Sequence, residues 1–130
     1  MADGGSTIYN AGTIDVRASV AAYSIDLLSA LGILGGAGAD TFINEGTITT
    51  GIQNNHVPPG AWLPGIAIDM ADGDDTVVLL KGSVIDGDIK LGPGDDLLHF
   101  SGNSLLTGDV DADLGTDTVI FDGPGRAEGS

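Results

Sequence analysis

The sequence predicts an all-β fold, a right-handed parallel β-helix (β-solenoid) of about four to five coils with three short sheets. Three observations predict it: a repeat of 21 residues, three short strand-like runs in each repeat, and turn residues that recur in register between the runs. A unit of this length can hardly bury an apolar face alone, whereas stacked units bury one shared core. We therefore expect residues 1–130 to form a single β-solenoid domain.

The repeat is clearest in the C-terminal half of the chain. Asp75, Asp96 and Asp117 lie 21 residues apart, and the residues that follow each of them match in type. In the N-terminal half the same unit occurs with insertions, because residues 41–48 match residues 7–14 at an offset of 34. The chain therefore carries four units and part of a fifth.

The runs within each repeat are too short for helices and are rich in Thr, Val and Ile, which suits strands. Parallel pairing of equivalent runs would give three sheets around one core. The expected inward residues are Ile8, Phe42, Val77, Leu98 and Val119 in the first sheet, Ile14, Ile48, Val84 and Leu105 in the second, and Ile25, Ile68, Ile89 and Val110 in the third. The pattern leaves undecided which of Val78, Leu79, His99 and Phe100 face inward.

An antiparallel sandwich built from the same short strands is the alternative architecture. It gives no reason for turn residues to recur in register, so the regular spacing of glycine and aspartate favours the solenoid.

Composition excludes several classes of partner. The chain has 22 glycines, four cationic side chains, no cysteine and a formal net charge of -15. Because binding to phosphates requires clustered Lys and Arg, we expect neither nucleic acid nor an anionic membrane surface as partner. The longest apolar stretch is too short to span a bilayer, so no membrane insertion of this segment is expected. The absence of cysteine suits a chain that crosses an envelope and refolds outside.

The glycine and aspartate turns carry the most specific motif. Residues 35–43 fit the nonapeptide G-G-x-G-x-D-x-U-x, where U is a large apolar residue, and related turns surround Asp75, Asp96 and Asp117. These turns resemble the haemolysin-type (RTX-like) repeats of secreted bacterial toxins and proteases. Residues 44–48 and 74–77 resemble the β-solenoid passenger domains of autotransporters. The resemblance implies a secreted or bacterial cell-surface protein, and the chain ends suggest a segment excised from a longer repeat array.

The RTX-like resemblance implies calcium as a cofactor. The implied metal ligands are the carboxylates of Asp40, Asp75, Asp96 and Asp117, with Asp74 and Asp95 beside them. Stacked carboxylates about 4.8 Å apart would repel one another, which favours a bound cation. Toxin repeats run in tandem, however, whereas here one such turn occurs per 21 or more residues. The alternative is that each aspartate caps backbone N–H groups of its own turn without metal.

Two segments are expected to interrupt the repeat. The apolar stretch at about 28–35 would be a short helix over the first coil or a contact patch, and the Pro-rich stretch at about 51–65 would be a loop leaving the coil. In that loop, Trp62 and His56 are the candidate partner-binding residues for a protein or glycan at the cell surface. The alternative is that Trp62 folds back over the first sheet or a solenoid end.

The sequence supports a non-enzymatic structural or adhesive role best. The alternative is a calcium-binding RTX-like module that folds on calcium outside the cell, and a polysaccharide-active β-helix enzyme is favoured least. We expect no enzymatic activity, since the acids occupy turns and neither G-x-S-x-G nor H-E-x-x-H is present. The two histidines have no nearby Cys or His for zinc. The exposed ends of a solenoid are expected to be capped or to self-associate.

Overall fold

The computed structural model describes residues 5–20, 30–54, 62–122 and 126–127. These residues form short β-strands and turns, and no helix occurs among them. The strands are β1 (Thr7–Asn10), β2 (Thr13–Val20), β3 (Leu31–Leu34), β4 (Thr41–Asn44), β5 (Thr47–Asn54), β6 (Trp62–Leu63), β7 (Ile66–Asp69), β8 (Thr76–Leu79), β9 (Val84–Asp86), β10 (Asp88–Lys90), β11 (Leu97–Ser101), β12 (Leu105–Thr107), β13 (Val110–Asp111), β14 (Thr118–Asp122) and β15 (Arg126–Ala127).

The strands form three sheets whose neighbours are parallel. The first sheet has the order β1-β4-β8-β11-β14, the second β2-β5-β9-β12-β15, and the third β3-β7-β10-β13. We call the strands that follow one another through the three sheets a rung, so that β8, β9 and β10 make one rung and β11, β12 and β13 the next. The predicted all-β fold with parallel strands in three sheets is confirmed, and this arrangement is compatible with a parallel β-helix. The antiparallel sandwich is wrong, because among the described strands only β6 pairs antiparallel, with β5.

The sequence repeat sets the pairing register. Leu97 pairs with Thr76 on one side and with Thr118 on the other, so residues 21 apart lie side by side. In the N-terminal half Thr7 pairs with Thr41, at the offset of 34 that the sequence predicted. Equivalent residues of successive rungs therefore form columns through each sheet.

One continuous apolar core lies between the three sheets. Its fully buried members include Phe42, Val77, Leu79, Leu98 and Phe100 from the first sheet, Ile48, Ile85 and Leu106 from the second, and Ile68 and Ile89 from the third. Each of the strands β8 and β11 thus buries two large side chains. The ambiguity of the sequence is resolved: Leu79 and Phe100 face inward, whereas Val78 and His99 are only partly buried.

In β9 and β12 the predicted inward residues of the second sheet are wrong by one position, whereas Ile48 is buried as predicted. Val84 pairs with Thr47 and Leu105 pairs with Val84, whereas Ile85 pairs with the buried Ile48. The inward residues of these strands are therefore Ile85 and Leu106. Two adjacent apolar residues begin each run, so their alternation did not reveal which one faces the core.

The C-terminal end of the stack is less covered than the sequence predicted. Val119 and Val110 occupy the expected inward columns, but they are 46% and 38% exposed. The described residues include no further strand beyond β14 or β13 in these sheets, so one side of each residue is left uncovered.

The interruptions of the repeat also fall elsewhere than predicted. Leu31–Leu34 forms β3, not a helix or an insertion, and Ile33 pairs with Ile68 in the third sheet. That column had been assigned to Ile25, which lies outside the described residues. The stretch at 51–65 is not wholly a loop either: β5 continues to Asn54, and Trp62–Leu63 returns antiparallel to it as a hairpin.

Candidate functional site

Four aspartates stack beside the first sheet. Asp40, Asp75, Asp96 and Asp117 stand directly before β4, β8, β11 and β14, and the parallel register of those strands places them one above another. Asp40, Asp75 and Asp96 are only 1–2% exposed, while Asp117 in the last rung is half-buried. We call these four residues the aspartate column. The structure brings together the same four residues that the sequence grouped.

Each carboxylate of the column binds the backbone of the preceding rung. Asp75 Oδ1 accepts a hydrogen bond from the N–H of Asp40 at 2.7 Å, and Asp96 Oδ1 accepts one from the N–H of Asp75 at 2.8 Å. Asp117 Oδ1 accepts from the N–H of Asp96 at 3.0 Å. The series begins at Ser6, whose N–H donates to Asp40 Oδ1 at 2.7 Å. The carboxylates therefore join successive rungs, and the prediction that each aspartate caps only its own turn is wrong.

The second oxygens of these carboxylates differ along the column. Asp40 Oδ2 accepts a hydrogen bond from the N–H of Gly36 at 2.8 Å, within its own turn. Asp75 Oδ2 and Asp96 Oδ2 are buried without a hydrogen-bond partner. An unpartnered buried carboxylate oxygen is costly, because it has lost its hydration. These two atoms are the chemically exceptional feature of the site.

Burial shifts the protonation of both residues. Desolvation raises the pKa of Asp75 to about 6, against the lowering effect of the hydrogen bond from Asp40, and the charges of Asp96, Asp40 and Asp74 add to the rise. Burial likewise raises the pKa of Asp96, where the hydrogen bond from Asp75 opposes the shift and the charge of Asp117 adds to it. The column therefore favours a proton or another positive charge at these carboxylates.

Asp74 and Asp95 form a separate, exposed column on the outer side of the same turns. Asp74 Oδ1 accepts from the N–H of Asp95 at 2.9 Å, and Asp95 Oδ1 accepts from the N–H of Thr116 at 2.9 Å. Here each carboxylate binds the following rung, opposite in direction to the aspartate column. The turn between the second and third sheets uses the same contact, because Asp88 Oδ1 accepts from the N–H of Asp109 at 2.9 Å.

Glycine is required where these turns stack. Gly73, Gly94 and Gly115 have positive φ angles of 128°, 148° and 132°. A Cβ atom at Gly94 would overlap the carbonyl oxygen of Gly73, and one at Gly115 would overlap that of Gly94. The turns therefore lie backbone on backbone, which explains why glycine recurs at this position of the repeat.

A second polar ladder, inside the turn between the first and second sheets, was not identified from the sequence. Asn10 Nδ2 donates to Asn44 Oδ1 at 2.8 Å, and Asn44 Nδ2 donates to Ser83 Oγ at 2.6 Å. Asn44 and Ser83 are fully buried. The signal in the sequence is the recurrence of Asn-x-Gly at residues 10–12 and 44–46.

Trp62 lies on the second sheet, not on the first. It pairs with Gln53, and its ring covers Gly51, where an added Cβ would lie 2.9 Å from Trp62 Cε3. The guanidinium carbon of Arg17 lies 5.3 Å from the ring centroid. The side chain nevertheless remains 46% exposed, so it is held in place and accessible. His56, the other candidate contact residue, lies outside the described residues.

A shallow groove crosses one end of the third sheet. Its lining includes Asp69, Lys90 and Asp111, and its volume is about 240 Å³. Asp69 Oδ1 accepts from the N–H of Ala71, and Asp111 Oδ1 accepts from the N–H of Asp113, both at 3.1 Å. These two carboxylates cap turns whose residues Ala71 and Asp113 have positive φ.

The oxygens available to a cation are few. Each Oδ1 atom of the aspartate column already accepts one N–H group, whereas a Ca²⁺ ion takes roughly six to eight oxygens. Within the described ranges no group of three or more His, Cys, Asp or Glu side chains is arranged to hold a metal ion.

Comparison with protein-family models, with curated proteins and with solved structures finds no match to this chain. The fold and the site define its class: an all-β protein with parallel strands in three sheets, whose successive rungs are joined by carboxylates. None of the described segments is a helix long and apolar enough to cross a membrane.

Proposed function

We propose that this chain is a right-handed parallel β-solenoid segment with a structural or adhesive, non-enzymatic role in a bacterial secreted or surface-exposed protein. The observation that carries the proposal is the aspartate column, in which backbone N–H groups satisfy one carboxylate oxygen of each residue from rung to rung. A stack joined in this way holds its shape without a ligand. A rigid stack of this kind suits a spacer or display surface of the autotransporter passenger type.

The path of the chain supports a solenoid of four to five coils. Successive strands pass through the first, second and third sheets in the same order, and each return to the first sheet adds a parallel neighbour. Connections between parallel strands of one sheet are right-handed in nearly all proteins, so the winding is right-handed.

The adhesive part of the proposal rests on the hairpin that carries Trp62. The indole and Leu63 are each nearly half exposed, and Arg17 holds the ring in place. An ordered, exposed aromatic surface beside a guanidinium suits contact with a protein or a glycan.

Circular dichroism through thermal melting, first in chelator and then in millimolar calcium, tests the structural role. We expect a β spectrum and one cooperative melt in chelator, with little shift of the melting temperature on adding calcium. Magnesium serves as the control for a general effect of divalent charge on a chain of net charge -15. A chain without β structure in chelator would overturn the proposal.

The second candidate function is the calcium-binding module. The specific observation in its favour is that Asp75 Oδ2 and Asp96 Oδ2 are buried and unpartnered. Calcium there would neutralise two adjacent carboxylates, and folding would then depend on the metal.

Calorimetric titration with calcium distinguishes this candidate. The candidate is supported if the original chain binds calcium, the buried double variant Asp75→Asn, Asp96→Asn does not, and the exposed double variant Asp74→Asn, Asp95→Asn still does. Equal heats in all three proteins would assign any calcium binding to the acidic surface.

A further inference from the structure

The two ends of the stack of rungs differ in exposure. At the C-terminal end, β11 is the one described strand that pairs with β14, and all five residues of β14 are exposed. Val119 and Phe121 occupy core columns there, yet they are 46% and 57% exposed. At the N-terminal end, the part of the chain that the structure describes offers β1 a strand neighbour on the side of β4 alone. Each end therefore presents a strand edge together with uncovered core positions.

The exposed strand at one end matches the exposed strand at the other. In the register that the first sheet uses throughout, a strand added to β14 places its residues beside Thr118, Val119 and Ile120. If that strand were β1 of a second copy, Thr7 would lie beside Thr118 and Ile8 beside Val119. Tyr9 would then lie beside Ile120, and Asn10 beside Phe121, an amide beside an apolar residue, as Asn44 already lies beside Leu79.

Two hydrogen-bond series would continue across such a junction. In one, the first residue of each strand donates its N–H to the neighbouring strand of the preceding rung, at the carbonyl of the residue just before that strand. Thr41 donates in this way to Ser6 at 2.7 Å, and Thr118 to Asp96 at 2.8 Å. The next member would be Thr7 of a second copy donating to the carbonyl of Asp117. In the other series, the N–H of Asp117 would donate to the Oγ of Ser6, which stands where later rungs carry aspartate.

Charge distinguishes this contact from pairing of identical ends. Residues 109–122, which span β13, β14 and the turn between them, include five carboxylates, at Asp109, Asp111, Asp113, Asp117 and Asp122, and no base, and β15 adds the single base Arg126. The described residues of the first rung carry one acid and one base, Asp15 and Arg17, paired at 2.9 Å. Two C-terminal ends would therefore repel each other, whereas a C-terminal end meets a nearly neutral N-terminal end.

We propose that the C-terminal edge, β14, binds the N-terminal edge, β1, of a second copy of this chain, in parallel and head to tail. The inference rests on the solenoid of the proposed function. A contact between two different surfaces leaves one free edge at each end of the pair, so growth is linear unless the rotation between copies closes a ring.

Sedimentation velocity on the full chain, over a wide range of protein concentration, tests this contact with one blocked variant for each end. Thr7→Pro removes the N–H that would cross the junction, and proline is tolerated at the first residue of an edge strand. Val119→Lys places a charge on the opposite edge, at a side chain that already reaches solvent. Val78→Lys is the matched control, because Val78 lies in the middle of the same sheet, on the side of β8 that faces away from the core.

We expect the original chain and Val78→Lys to form larger species as concentration rises, and each blocked variant to remain a monomer by itself. A mixture of Thr7→Pro and Val119→Lys should form one-to-one pairs, since each variant retains the edge that the other has lost. Monomers of the original chain at every concentration, or self-association of Thr7→Pro alone, would overturn the inference. Circular dichroism of the same samples keeps the two proposals separate, because a folded monomer contradicts only the contact.

Discussion

Asp75 and Asp96 combine two demands that conflict at neutral pH. Each carboxylate is buried and must accept the N–H of the preceding rung through Oδ1, while Oδ2 has no partner. The negative charge strengthens the hydrogen bond but lacks solvation, and stacked neighbours of the same charge add to the cost. A proton on Oδ2 would remove the unsolvated charge and leave the hydrogen bond at Oδ1 in place.

This conflict predicts that the protein is more stable in mild acid. In the folded protein the pKa of Asp75 is raised from 3.8 to about 6, so the folded chain holds a proton that the unfolded chain has released between those values. The free energy of unfolding should therefore fall as pH rises from about 4 to about 6 and level off above that. Thermal melts at a series of pH values measure this profile.

The control for this prediction is a variant that removes the same charge from the surface. Protonating any of the many exposed acids also relieves repulsion, so Asp72→Asn, at an exposed position, should keep the slope. Asp75→Asn should flatten the slope, because it keeps the Oδ1 acceptor and removes the titrating group. A profile equally steep in both variants would contradict the assignment to Asp75.

Among the elements, the stacked turns before the first sheet tolerate the least change. At Gly94 two requirements coincide, a φ of 148° and close approach to the carbonyl oxygen of Gly73. At Gly82 only the first applies, since φ is 84° and nothing lies within 4 Å of an added Cβ. The two glycines therefore separate the effect of backbone conformation from that of stacking.

We predict that Gly94→Ala lowers the free energy of unfolding by more than about 3 kcal/mol, a large value for a single substitution. Gly82→Ala should cost about 1–2 kcal/mol, the strain of a left-handed conformation alone. Chemical denaturation of the two variants beside the original chain measures both. Equal losses would mean that the turns do not stack as closely as the structure shows.

The side of each strand that faces the core was predictable where apolar and polar residues alternate without ambiguity. In the first sheet Phe42 and Val77 each follow a Thr, so their inward direction followed from the pattern. In the second sheet Val84-Ile85 and Leu105-Leu106 begin with two apolar residues, and the predicted face was wrong by one. Only the pairing of Ile85 with Ile48 decides between them.

At the scale of the whole molecule, stability should vary along the stack. The strands β8 and β11 have neighbours on both sides and bury two core residues each, whereas β14 has one neighbour and exposes all its residues. In a repeat protein, the stability of a unit depends on its own contacts and those with its nearest neighbours.

Native-state hydrogen exchange should therefore show a gradient of protection. Amides that donate between β8 and β11 should exchange most slowly, at close to the global free energy of unfolding, and those of β14 should exchange faster through local opening. Measurement below the association concentration, or on Val119→Lys, avoids protection by a second copy. Uniform protection of β14 and β8 would contradict this gradient.

The sequence by itself determined the periodic features of this protein. The spacing of 21 residues predicted the strand register, the recurrence of Asp75, Asp96 and Asp117 predicted one stacked column, and the glycines predicted the turns. These features repeat because stacked units place equivalent residues in equivalent surroundings, so one pattern recurs along the chain.

Only the tertiary structure decided which atom each column binds and where the repeat is interrupted. The sequence could not show that Asp75 accepts the N–H of Asp40 from the preceding rung while its other oxygen stays unpartnered. Nor could it show that Ile33 enters the third sheet or that Trp62 covers Gly51. The physical reason is that these contacts join residues from different rungs, or from a strand and the segment that folds back on it, and their distances depend on how the backbone packs rather than on local spacing.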